Sequence, residues 1–97
     1  MAKKEKVTIT KDPNNPRKCQ PDKKFDVFRG DEVKFVFDEE PNASITFVNK
    51  SPFDEPVVLN EDMKISKKAE ETHYEYQIFW TDNGGGSGAG SGDVGHG

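Results

Sequence analysis

The chain has little of what builds most catalytic and metal centres: one cysteine, Cys19, and two histidines, His73 and His96. A single thiol excludes an internal disulfide, and with it a disulfide-stapled secreted scaffold. Long hydrophobic runs are absent too. No stretch approaches the roughly eighteen apolar residues of a membrane-spanning helix, so no membrane partner is expected. Behind Met1-Ala2-Lys3-Lys4-Glu5-Lys6 there is no apolar segment of the kind that follows the charges of a secretory signal, which makes the cytoplasm the expected location. A strong charge of one sign is also missing. The formal net charge is −4 with both signs interspersed, which favours solubility and argues against nucleic acid as a partner. Lys3, Lys4 and Lys6, interrupted by Glu5, read as the solvated flank of a first strand.

What is present is a small aromatic core. Ninety-seven residues allow one domain. The hydrophobic fraction, 31%, is low, so seven Phe, two Tyr and one Trp must carry the burial. Those residues recur at period two. In His73-Tyr74-Glu75-Tyr76-Gln77-Ile78-Phe79-Trp80, residues Tyr74, Tyr76, Ile78 and Trp80 share one face. In Val33-Lys34-Phe35-Val36-Phe37, Val33, Phe35 and Phe37 point inward. Ser44-Ile45-Thr46-Phe47-Val48 puts Ile45 and Phe47 together. Shorter candidates are Val7–Thr10, Phe25–Phe28, Val57–Leu59 and Met63–Ile65. Arg29-Gly30-Asp31-Glu32, Asp12-Pro13-Asn14-Asn15-Pro16, Glu39-Glu40-Pro41-Asn42, Ser51–Pro56 and Asn60-Glu61-Asp62 separate them as turns. Only Lys64–Thr72 could accommodate a helical turn. Many short strands at regular spacing predict an all-β sandwich or barrel.

Glycine is distributed unevenly: only Gly30 precedes residue 84, and eight of the nine glycines lie from Gly84 to Gly97. Such a segment has little to bury against its ordering entropy. The expected organisation is a domain over residues 1–83 and a flexible Gly/Ser-rich tail over 84–97. No Lys-Ser/Thr follows the glycines, so a phosphate cradle is not indicated.

Three pieces of the chain, in order, resemble the cupredoxin family: the turn and strand Gly30-Asp31-Glu32-Val33-Lys34-Phe35, then Asn42-Ala43-Ser44-Ile45-Thr46-Phe47, then Tyr74-Glu75-Tyr76. The likeness spans roughly residues 24–80. It implies a Greek-key β-sandwich of about six to eight short strands. The family's copper ligands are not carried over, since Ala43 or Ser44 stands where the first histidine is expected and Gln77 or Ile78 where the cysteine is. No cofactor is therefore expected.

Function is weakly encoded. Acidic pairs such as Asp38-Glu39-Glu40, Asp54-Glu55 and Glu61-Asp62 lack calcium-loop or glycosidase spacing and read as solvated charge. No triad pattern is present, and an enzyme is not expected. The expectation is a monomeric, non-enzymatic binding or accessory module for a protein or peptide partner, with Pro52, Phe53 and His73 as candidate contacts. Phe53 also fits a plug closing one end of the sandwich. The alternative is an atypical copper-binding protein that recruits Cys19, Met63, His73 or His96.

Overall fold

The structure, a computed structural model, describes residues 3–22, 24–37, 42–70, 72–82 and 84–96, excluding the side chains of Pro16 and His96. The expected turn over Glu39-Glu40-Pro41 and the acidic run at Asp38–Glu40 lie outside the described residues. Eight strands are formed: β1 Lys4–Asp12, β2 Asn15–Pro21, β3 Phe25–Val27, β4 Glu32–Val36, β5 Ala43–Phe47, β6 Asp62–Lys64, β7 His73–Thr81 and β8 Ser87–His96. Among the described residues there is no helix. The radius of gyration, 13.3 Å, is that of one compact unit of this length.

The strands make a single mixed sheet in the order β5-β7-β8-β2-β1-β4-β6, with β3 alongside β8. Pairs β1–β4, β2–β8 and β3–β8 are parallel, whereas β1–β2, β4–β6, β5–β7 and β7–β8 are antiparallel. The sheet curls into a half-barrel whose concave side holds the core. Period-two patterning decides which side chains enter it. Val33, Phe35 and Phe37 are buried as the sequence predicts, and so are Tyr74, Tyr76, Ile78 and Trp80, while Val7 and Ile9 enter from β1.

Asp31 explains the turn between β3 and β4. Gly30 sits at φ +88°, and the buried Asp31 carboxylate accepts hydrogen bonds from the Phe28 amide at 2.9 Å and the Lys3 amide at 3.1 Å. One carboxylate thus ties the start of β1 to the turn that launches β4. Asn60, at φ 66°, makes the reversal before β6, again at a residue type that tolerates the left-handed region.

Three expectations need correction. The glycine-rich segment read as a flexible tail is strand β8 from Ser87, paired with β7 along nine register positions and with β2 and β3 on its other side. A boundary after residue 83 would cut through the sheet. The physical reason is steric. A Cβ at Gly88 would overlap the Trp80 ring and the Arg17 carbonyl, at Gly90 the Cys19 carbonyl, and at Gly92 the Tyr76 hydroxyl. These glycines alternate, all on the inner face opposite the large side chains of β7. Secondly, β2 forms despite Pro16 and Pro21, which lie near its two ends and spare the central ladder. Thirdly, Val57–Leu59 is not a strand. Val57 and Leu59 are half-buried against the core in an irregular segment, and the Asn60 amide donates to the Phe35 carbonyl at 2.8 Å.

Candidate functional site

Phe53 organises the gap between the two terminal strands of the sheet. It bridges to Ile65, just after β6, and its ring packs edge-on against Phe35 at 6.2 Å and Phe47 at 5.7 Å. Tyr76 meets the same two rings at 5.3 and 5.5 Å, so the four aromatics close a cycle. Pro52 is fully buried beside them, and Phe53 is 6% exposed. These two expected partner contacts therefore have their side chains buried. His73 is exposed at the start of β7, on the face opposite the core. The three residues do not converge on one surface.

The other expected ligands are also dispersed. Cys19 is buried on β2, Met63 is buried on β6, and the His96 side chain lies outside the description. Among the described residues, no group of three or more His, Cys, Asp or Glu is placed to hold a metal ion. Burial pushes the Cys19 thiol above its ordinary value, opposed in part by the Trp80 side chain and the charge of Lys11. Lys11 Nζ sits 4.3 Å from the centroid of the Trp80 ring, a cation–π contact. Tyr76 is likewise raised far above 10.0, first by burial and then by the charges of Asp22, Asp93 and Cys19. Both shifts favour the protonated form of the group. No helix among the described residues is long and apolar enough to cross a membrane.

The feature that sequence reasoning missed is made of backbone. β5 ends the strand order and, among the described residues, pairs only with β7. The Val48 amide donates to the Glu75 carbonyl at 3.0 Å, and the Thr81 amide to the Asn42 carbonyl at 3.3 Å. In an antiparallel ladder bonded and non-bonded pairs alternate, so Asn42, Ser44, Thr46 and Val48 direct their main-chain groups at β7. The N–H and C=O groups of Ala43, Ile45 and Phe47 consequently face away, along an edge with no paired strand among the described residues.

A groove of about 380 Å³ runs beside that edge, between β5 and the segment that carries Phe53. Ile45, Phe47, Phe53 and Val57 give it an apolar floor, and Lys50, Asp54 and Glu55 line it with charge. Lys50 is engaged by Glu70 at 2.5 Å, a contact that raises the Lys50 pKa and lowers that of Glu70. Asp54 and Glu55 have no ion pair among the described residues. The available sequence signal was the lack of any charge or proline across Ala43–Phe47. No family model, curated protein or solved structure matches the chain.

Proposed function

We propose that this chain is a non-enzymatic binding module for a protein or peptide partner, built on a cupredoxin-like sandwich that carries no copper. The observation that carries the reading is the edge of β5, unpaired among the described residues, with a groove of mixed apolar and charged lining beside it, because main-chain groups left unpaired next to partly apolar surface suit recognition of another polypeptide. The cupredoxin likeness is supported by the ordered motifs at Gly30–Phe35, Asn42–Phe47 and Tyr74–Tyr76. Two of them have buried keystones here: Asp31 staples its turn, and the Tyr74 hydroxyl accepts from the Glu70 amide at 2.8 Å and donates to its carbonyl at 3.2 Å.

The test is selection from a random peptide library displayed on phage, using the full chain as bait, followed by calorimetric titration of the enriched sequences. The reading expects a consensus whose synthetic peptide binds saturably to the folded chain and not to the urea-unfolded one. Failure to enrich any sequence over an unrelated β-domain would contradict it.

A further inference from the structure

We propose that the open edge of β5 takes an extended peptide as an additional strand, and that this peptide carries a lysine or arginine that meets Asp54 and Glu55. The inference rests on the binding-module reading and specifies its site and ligand class.

Three observations converge on it. The outward main-chain groups of Ala43, Ile45 and Phe47 recur every second residue, which is the repeat of an extended chain laid alongside. The two terminal strands of the sheet are also treated differently. β6 is three residues long, shows exposed Asp62 and Lys64, and is followed at Ile65 by the bridge to Phe53. Shortness, charge and cover are the usual means of keeping an edge from pairing. β5 has five residues, none charged and none proline, so it lacks the first two of these protections. Finally, the groove selects by charge. With Lys50 held by Glu70, the two carboxylates of Asp54 and Glu55 set its sign, on a chain of net charge −4. A cationic side chain on the incoming strand complements them, and a carboxylate there meets repulsion.

The probes are two synthetic peptides, acetyl-Thr-Val-Lys-Val-Thr-Val-amide and its counterpart with Glu in place of Lys, added to the isotope-labelled full chain and followed by amide exchange and chemical shift. In the free protein the Ala43, Ile45 and Phe47 amides should exchange quickly and those of Ser44 and Thr46 slowly. Saturating lysine peptide should slow the three edge amides by about tenfold or more, as pairing closes them to solvent. The glutamate peptide should bind more weakly, and the double change Asp54→Asn, Glu55→Gln should erase the difference. Ala43→Pro removes an outward donor without touching the β5–β7 ladder, so it should abolish binding in a chain that still melts cooperatively. Thr46→Lys, a charge on the exposed side of the strand, gives the same result independently.

Lysine-peptide shifts confined to other surfaces would overturn the edge assignment while leaving the binding-module reading intact. An absence of shifts from either peptide would also overturn it, and the library selection would judge the module reading separately. Edge amides already protected in the free protein would overturn it as well. Protection that grows with protein concentration would identify a second copy as the occupant, and concentration-independent protection would identify the chain's own cover.

Discussion

Strands β7 and β8 lie side by side and are opposites in composition. On their shared inner face, Tyr74 opposes Val94, Tyr76 opposes Gly92, Ile78 opposes Gly90 and Trp80 opposes Gly88. One strand supplies volume and the other supplies room. The bare backbone of β8 at Gly88 and Gly92 lets the Trp80 indole and the Tyr76 ring lie down within a half-barrel that would be overfilled by side chains from both strands. Glycine in a strand costs roughly 0.5–1 kcal/mol of entropy relative to alanine. Here that cost is offset by aromatic surface laid over the glycines, the pairing by which aromatic residues rescue glycine in sheets. Hydrophobicity counts treat β8 as empty, whereas packing makes it the partner that β7 requires.

The largest effect should come from removing one side of this pair. Deleting residues 87–97 strips β7 and β2 of one neighbour each and leaves β3 without a paired strand, so the chain should lose its cooperative urea transition. A sharp transition with little change in midpoint would mean that β7 packs without β8.

Filling the room should come next. Gly90→Val puts branched carbon against the Cys19 carbonyl, a backbone atom that cannot swing aside, and should cost about 3 kcal/mol or more by urea denaturation. The same change at Gly85, which has no neighbour within 4 Å of its would-be Cβ but sits at φ +87°, should cost only about 1–2 kcal/mol of backbone strain. Equal costs at the two sites would remove the steric argument.

The smallest effect concerns one of three buried side-chain atoms that have no hydrogen-bond partner among the described residues, the other two being Trp80 Nε1 and Asp93 Oδ1. Among the described residues the buried Tyr76 hydroxyl has no hydrogen-bond partner, unlike that of Tyr74. Tyr76→Phe should therefore be neutral or stabilising by up to about 1 kcal/mol at neutral pH. Its pH dependence has a definite sign. Because the folded-state pKa is raised, the unfolded chain ionises first, and the wild type loses stability as pH climbs past 10.0. The phenylalanine variant should lack that component of the alkaline loss. An unchanged alkaline profile would show that Tyr76 ionises freely in the folded chain.

The sequence discloses what large side chains do and hides what small ones do. β4 and β7 are legible because their bulky residues alternate over at least five positions, while Gly30 marks the turn into β4 and Asn60 the reversal before β6 by backbone freedom. β8 alternates just as regularly, in Gly88, Gly90 and Gly92, but absent side chains register as low burial rather than as a face. β2 is obscured by its prolines, since their position near the strand ends depends on the partner ladder. Phe53 is recognisable as an aromatic in a loop, but its place in a cycle with Phe35, Phe47 and Tyr76 depends on contacts between strands distant in sequence. The candidate site was the least legible part. An open edge is defined by which strand lacks a neighbour, and that is a property of strand order rather than of any residue.

Residue-by-residue amide exchange on the intact chain, followed by nuclear magnetic resonance, tests the account most directly, because it reads β8 and the open edge of β5 together. The account predicts slow exchange for the β8 amides that point at β7, comparable to the centre of β7 itself, with fast exchange at Ala43, Ile45 and Phe47. Coil-like exchange throughout residues 87–96 would contradict it, returning the glycine-rich segment to a tail and leaving the inner face of β7 without its partner.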